Sequence, residues 1–214
     1  MNDQHVVALA AASLLSLSCG DNNPVASVLP NEAAISGQCG GHPDWANSEY
    51  VLPYPAGIAY EVVQGNCSPS TAHWNSHQIG TPWTFAYDFL MPVGSPIAAV
   101  RAGTVVFVRE QNTDIDKGLE NGNAVVIEHE DGTYAGYGHL THNGALVETG
   151  QEVAQGQVIG LSGNSGESVI PHLHFQVSPC RVMESCESLP ITFRNTKPHP
   201  NGLLVGEVYV ALPE

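Results

Sequence analysis

The chain is short of positive charge. Only six Lys and Arg residues stand against 21 Asp and Glu, the formal net charge is −15, and the first basic residue is Arg101. A nucleic-acid-binding protein needs a basic face to neutralise phosphates, and attraction to anionic lipid headgroups needs basic residues as well. The composition therefore argues against a nucleic-acid partner, and it leaves membrane contact only through a lipid anchor.

Long apolar runs are also missing. The apolar stretch from Val6 to Leu17 is too short to span a membrane, but it fits the hydrophobic region of a secretory signal. It leads to SLSC and Cys19, which resembles a bacterial lipoprotein signal with an acylated cysteine, although Ser16 stands where such signals usually have Leu. A buried N-terminal helix is the alternative. We expect residues 1–19 to be a signal peptide and the protein to be exported to the bacterial cell envelope, in the periplasm or on the outer surface.

Cysteine is scarce, yet its count is informative. Apart from Cys19 there are four cysteines, an even number that fits an oxidising compartment. Their positions allow more than one pairing, and closure of local loops favours Cys39–Cys67 and Cys180–Cys186. A four-cysteine zinc site is the alternative, which the lack of a close C-x-x-C pair disfavours.

Helical periodicity is absent beyond the N-terminal segment. Residues 20–50 are rich in Asn, Pro, Gly and Ser and predict a linker or lead-in. Short apolar runs then alternate with turn residues over 51–214, and Asp131-Gly132 predicts a hairpin between two of them. We predict an all-β fold: a mostly antiparallel, two-layer sandwich or barrel-like core at 76–178, with a groove and glycine-rich hairpin turns.

The sequence PHLHF at 171–175 places His172 and His174 two positions apart. Side chains alternate along a strand, so both rings project from one face and can reach the same small volume. Such a pair taken alone is more often structural than catalytic.

Other potential metal ligands in the sequence make a functional role for this pair more plausible than it is alone. His139 lies in YGHL, and the segment 76–106 contains His77 and Asp88. Imidazole nitrogen and carboxylate oxygen are the ligands that zinc takes in catalytic sites. The chain has no H-E-x-x-H, so a histidine would have to serve as the general base. His129, just before the hairpin turn, is expected at the strand surface or in support of the site.

Three ordered motifs resemble one family, the lysostaphin-type zinc endopeptidases of bacterial cell walls. They are SH…AYDFLMPVGSPIAAVRAGTVV at 76–106, DGTYAGYGHL at 131–140 and GNSGESVIPHLHF at 163–175. The glycine-spaced VETGQEVAQGQVIGLSGNSG at 147–166 is also typical of it. The resemblance covers about residues 50–195.

The resemblance implies a role for each histidine. His77, Asp88 and His174 correspond to the ligands of one Zn²⁺, and His139 and His172 to the two catalytic histidines. A metal-activated water, assisted by these two rings, would hydrolyse peptide bonds in peptidoglycan cross-links or stems. Which ring is the general base is left open, and we expect a monomer.

The first ligand departs from the family pattern. The family usually sets its first His and Asp closer together than positions 77 and 88, so the loop QIGTPWTFAY would be an insertion. His73 is an alternative to His77, although Ser76-His77 matches the motif better.

Three alternative functions remain. The chain could be a catalytically inactive module that binds the wall or activates another hydrolase, but all five positions of the family site are filled. A lipoyl-type carrier needs a lysine in a tight turn, and none lies between Lys117 and Lys197. A structural β protein with core histidines explains HLHF but not the ordered set of motifs.

Overall fold

Short β-strands joined by turns make up nearly all of the regular structure. The structure, a computed structural model, describes residues 40–65, 82–181 and 185–214. Its strands are β1 (Ala59–Gln64), β2 (Tyr87–Phe89), β3 (Pro96–Ala98), β4 (Gly103–Arg109), β5 (Ala124–Glu128), β6 (Tyr134–Gly138), β7 (Leu140–Ala145), β8 (Glu152–Val153), β9 (Val158–Ser162), β10 (Leu173–Ser178) and β11 (Val208–Val210). Within those ranges the helical elements are two short 3-10 turns, Trp45–Asn47 and Leu119–Asn121.

The strands form two antiparallel sheets. The larger sheet has the order β11-β1-β2-β10-β6-β5-β4-β8, and the smaller has the order β3-β9-β7. Neighbouring strands in both sheets run antiparallel. The predicted all-β, mostly antiparallel, sandwich-like fold is confirmed.

Side-chain alternation on β2 and β10 separates the core from the opposite face of the larger sheet. Tyr87 and Phe89 of β2 and Phe175 of β10 are fully buried in the hydrophobic core. Their aromatic rings contact Phe193, with centroids 5.8 Å away for Tyr87 and 6.1 Å for Phe175. Because successive side chains on a strand point to opposite faces, the residue between Tyr87 and Phe89 must point away from this core.

The hairpin predicted at Asp131-Gly132 is confirmed. Strands β5 and β6 pair from Ala124↔Gly138 to Glu128↔Tyr134. Gly132 has a φ of 78°, a left-handed conformation that glycine adopts without the steric penalty of a Cβ atom. The hairpin therefore carries the chain back toward the end of β6, where His139 follows.

The described part of the predicted lead-in, residues 40–50, contacts the β domain. The Tyr50 carbonyl accepts from the Arg194 backbone N–H at 3.0 Å, and the Ser48 hydroxyl donates to the Thr192 carbonyl. All described residues fall within one unit, Asn31–Glu214. In that described part of the chain, no helix has the length and apolarity needed to cross a bilayer.

Gly103, at the start of β4, provides a test of how closely the strands pack. A Cβ atom there would overlap the Glu128 carbonyl oxygen and lie 2.8 Å from Ile127 Cγ2. We expect Gly103→Ala to lower the free energy of unfolding by about 1–3 kcal/mol, the usual range for overpacking. Gly40→Ala is the control, because a Cβ atom at Gly40 meets nothing within 4 Å. Urea unfolding followed by tryptophan fluorescence measures both, and equal midpoints for the two variants would contradict the expectation.

Candidate metal and catalytic site

Asp88 and His174 face each other across two neighbouring strands. They are direct register partners in the β2–β10 pair, and His174 Nδ1 lies 3.0 Å from Asp88 Oδ1. Both strands turn their apolar side chains to the core, so these polar residues share the opposite face. Asp88 is only 2% exposed, and a buried carboxylate requires close compensating partners.

Gln176 contacts the nitrogen of His174 that points away from Asp88, and this contact bears on which nitrogen carries the proton. It lies two residues further along β10, on the same face, and its Oε1 is 2.9 Å from His174 Nε2. A carbonyl oxygen accepts only, so the imidazole donates through Nε2–H. In a neutral ring the Nδ1 atom is then unprotonated, and it faces a carboxylate oxygen that also has only lone pairs.

That arrangement fits a bound cation. A carboxylate oxygen and an imidazole nitrogen 3.0 Å apart need either a proton on the nitrogen or a cation bound by both. Zn²⁺ takes nitrogen and oxygen ligands at about 2.0–2.2 Å, which allows adjacent ligand atoms of one ion to be about 3–3.5 Å apart. The donor chemistry and spacing of Asp88 and His174 therefore suit a zinc ion.

The set of ligands is incomplete within the described residues. The predicted ligand His77 and its alternative His73 lie outside them. In the ranges 40–65, 82–181 and 185–214, no group of three or more His, Cys, Asp or Glu side chains could hold a metal ion. The assignment of His77 therefore stays a prediction.

His172 approaches Asp88 from the position just before β10. Its Nε2 atom is 3.4 Å from Asp88 Oδ2, and its Nδ1 atom is 2.8 Å from the Ile170 carbonyl and 3.0 Å from Ser168 Oγ. The carbonyl can only accept, so Nδ1 carries the proton. Nε2 of the neutral ring is therefore the atom with a lone pair at the site.

His139 completes the cluster from the junction of β6 and β7. Its ring centroid lies 4.5 Å from that of His172 and 6.0 Å from that of His174. Its Nδ1 atom donates to the Ser165 carbonyl at 2.7 Å, so Nε2 again carries the lone pair. The pKa of His139 is lowered to about 3, mainly by burial and also by the neighbouring His172 and His174, while the Ser165 carbonyl and Asp88 oppose the shift.

The structure thus brings together four of the five residues predicted for the site: Asp88, His139, His172 and His174. They come from β2, the β6–β7 junction and the start of β10. A carboxylate–imidazole pair able to bind a metal lies next to two further imidazoles, and the Nδ1 atom of each contacts a backbone carbonyl. This combination has the groups needed to hydrolyse an amide.

The described residues include only one of the two predicted cysteine pairs. Cys180 and Cys186 form a disulfide with Cα atoms 5.8 Å apart, directly after β10. Cys19, Cys39 and Cys67 lie outside the described residues.

Sequence reasoning missed the residues that support the histidines. Gln176 could have been found, because alternation on β10 puts it on the face of His174. Asn123 and Ser165 are both fully buried, and nothing in their local sequence indicates that they contact the site from separate loops.

His129 differs from its expected surface position, because it is only 3% exposed. Its ring lies beside Tyr50, with centroids 5.8 Å apart, and its Nδ1 atom is 3.0 Å from Thr133 Oγ1. The pKa of His129 is lowered to about 4, mainly by burial and also by the positive charge of Arg101, while Asp131 opposes both effects. This histidine stabilises the hairpin as a neutral ring and lies outside the cluster.

The lowered pKa of His129 predicts that the folded protein becomes less stable in acid. The unfolded chain binds a proton at about pH 6.5, whereas the folded chain resists protonation until about pH 4. Between these values the unfolded state holds more protons, so stability is lost as pH falls. We expect His129→Gln to remove about 1–3 kcal/mol of the difference in unfolding free energy between pH 7 and pH 4.5.

Urea unfolding at both pH values measures the effect, with exposed His142→Gln as the control. An unchanged pH dependence in His129→Gln would show that the buried ring is not the source.

An antiparallel β domain with an Asp–His pair and two further imidazoles at its surface has the fold and side chains of a metallopeptidase. Residues 84–184 match the model described as Peptidase family M23. Over this segment the predicted resemblance to the lysostaphin-type peptidases is confirmed.

Individual relatives match the same part of the chain. Peptidoglycan DD-endopeptidase ShyA of Vibrio cholerae is 41% identical over 90 residues, which cover 42% of this chain and 19% of that protein. Lysostaphin of Staphylococcus simulans is 36% identical over 93 residues, or 43% of this chain and 17% of that protein. The chain thus spans about a fifth of the length of these curated relatives. A zinc-containing peptidase of Vibrio cholerae with a crystal structure has 32% identity, a TM-score of 0.44, and coverage of 61% of this chain and 37% of that one.

Proposed function

We propose that this protein is a zinc-dependent endopeptidase that hydrolyses peptide bonds in the cross-links or stems of peptidoglycan. The observation that carries the proposal is the cluster itself, in which Asp88, His139, His172 and His174 lie within contact distance. The family match of residues 84–184 supports peptidase chemistry. The name of ShyA as a peptidoglycan DD-endopeptidase supports the choice of substrate.

Asp88 and His174 would hold one Zn²⁺ together with His77. When bound there, zinc supplies a Lewis acid that polarises the peptide carbonyl and lowers the pKa of water. Gln176 keeps His174 in the tautomer that presents Nδ1 to the ion, through the 2.9 Å contact between Oε1 and Nε2.

His139 and His172 would move the protons. Each has its Nδ1 proton engaged by a backbone carbonyl, Ser165 for His139 and Ile170 for His172. Each would therefore offer Nε2 as the base, and the 4.5 Å between their ring centroids would allow both to act on the same bond. One Nε2 accepts a proton from the attacking water, and protonated Nε2 then donates to the leaving amine.

Hydrolysis of peptidoglycan requires that the protein reach the cell envelope. The expected export signal at 1–19 and the Cys180–Cys186 disulfide agree with an oxidising location outside the cytoplasm. We propose that the protein acts there as a monomer with one zinc ion per chain.

Removing either proton-transfer group tests the enzymatic role. We expect His139→Ala and His172→Ala to lower the rate of fragment release from purified peptidoglycan by at least about 100-fold, as for loss of a general acid or base. Zinc content by elemental analysis should stay near one per chain, because neither ring is a proposed ligand. A chelator should abolish hydrolysis by the unaltered protein.

The control is His142→Ala. His142 is exposed, and its ring contacts the Gln111 carbonyl at 3.1 Å through Nδ1. Binding of peptidoglycan without cleavage by the unaltered, zinc-loaded protein would replace this proposal with the inactive wall-binding module. Loss of zinc in both alanine variants would show that the roles are misassigned.

The contact between Gln176 and His174 predicts an effect on metal affinity. Gln176→Ala should weaken zinc binding about 10–100-fold, the usual effect of removing a partner that orients a ligand. Gln176→Glu retains an acceptor oxygen and should bind zinc within a few-fold of the unaltered protein. Competition with a chromogenic chelator measures both, with exposed Gln151→Ala as the control, and equal affinities for all four proteins would contradict the expectation.

A further inference from the structure

His139 is held in an unfavourable backbone conformation. Its φ is 61°, in the left-handed region that costs a residue with a side chain about 1–2 kcal/mol. Such a conformation persists only where surrounding contacts impose it. The residues that supply those contacts therefore control the position of the ring.

Asn123 supplies the contacts to the backbone that follows His139. It is fully buried, and its backbone carbonyl accepts from the Leu140 N–H at 3.3 Å. Its side-chain Nδ2 lies 3.2 Å from the carbonyls of Leu140 and Thr141 and 2.7 Å from that of Asn112. Its Oδ1 accepts from the Asn112 N–H at 3.1 Å. One carboxamide thus joins the start of β7 to the loop before residue 119.

Ser165 extends the same network to the imidazole. The Asn123 N–H donates to Ser165 Oγ at 3.0 Å, and Ser165 Oγ donates to the Leu140 carbonyl at 2.7 Å. The carbonyl of Ser165 accepts the His139 Nδ1 proton at 2.7 Å. The turn that carries Ser165 lies against Gly122, since a Cβ atom on Gly166 would be 2.5 Å from Gly122 Cα.

The network therefore acts on both parts of His139. Asn123 fixes the backbone after it, and Ser165 fixes the tautomer and direction of its ring. Only a carboxamide suits position 123, because it must donate to several carbonyls while accepting one backbone N–H. An aspartate would place a carboxylate against those carbonyl oxygens, and an alanine would remove the Nδ2 donor from all three of them.

We propose that Asn123, acting with Ser165, is a positioning residue that presents Nε2 of His139 to the reacting bond. This inference rests on the proposed role of His139 in proton transfer. Among the described residues, the hydrogen bonds of the Asn123 side chain go to the backbone of Asn112, Leu140 and Thr141 and not to Asp88 or His174, so we expect its effect on the reaction to pass through His139.

Two variants of the full chain test the proposal. Asn123→Ala should lower kcat on a soluble peptidoglycan fragment about 10–100-fold, because a displacement of about 1 Å at a catalytic group has effects of this size. KM should stay within about twofold and zinc content should not change. Ser165→Ala removes two hydrogen bonds of the network but keeps the backbone carbonyl, so it should show a smaller loss of kcat. This variant replaces Asn123→Ala in the test if Asn123→Ala does not fold.

Nitrogen NMR of the imidazoles supplies a readout that is independent of activity. In the unaltered protein His139 should show a protonated Nδ1 and an unprotonated Nε2. In Asn123→Ala both nitrogen signals should move toward the average of the two tautomers. If the unaltered protein cleaves nothing, this shift still supports the positioning role and only the proposed function fails.

Val153→Ala is the control for a loss of stability alone, because Val153 is a buried core residue of β8. It should lower the melting temperature but leave kcat and the His139 signals unchanged. Unaltered His139 signals in both network variants would overturn the proposal. A loss of kcat in Val153→Ala equal to that in Asn123→Ala would do the same, since it would reduce the role of Asn123 to stability.

Discussion

The site depends on a carboxylate that is buried where two strands meet. The register of β2 against β10 places Asp88 directly opposite His174. An ionised carboxylate in such a place is costly unless it is paired. The nitrogens of His174 and His172, at 3.0 Å and 3.4 Å, are its close neighbours among the described histidines. The proposed cation, shared with His174, would be a further partner of this carboxylate.

The same two strands build the core and the site on opposite faces. Tyr87, Phe89 and Phe175 contact Phe193 or one another in the aromatic core, which anchors the strands that carry Asp88 and His174. Rigid support of this kind is what a catalytic group needs in order to stay in a productive geometry. The polar layer is equally constrained, because each histidine of the cluster has one nitrogen bonded to a carbonyl oxygen of the chain. Strain at His139 is tolerated because neighbouring loops hold both its backbone and its ring.

Local patterns predicted much of the fold and of the site. The Asp131-Gly132 turn, the strand at HLHF and the common face of His172 and His174 follow from the conformational freedom of glycine and the alternation of side chains on a strand. Resemblance to a family added Asp88 and His139 to that pair. The burial of His129 was not predicted, because its aromatic neighbour Tyr50 lies far from it in the chain. Asn123 escaped notice for the same reason, since its partners belong to three separate segments.

The amino-acid sequence alone determined the β architecture, the shortage of basic residues that argues against a nucleic-acid partner, and the types of donor available for a metal. These properties depend on composition, on the period of two along a strand and on turn chemistry, all of which are local. Only the tertiary structure decided which nitrogen of each imidazole in the cluster contacts a carbonyl oxygen and which buried amide holds the backbone next to His139. Those properties depend on distances between segments that are remote in sequence, and the distances are set by strand register and by loop packing against the finished sheets.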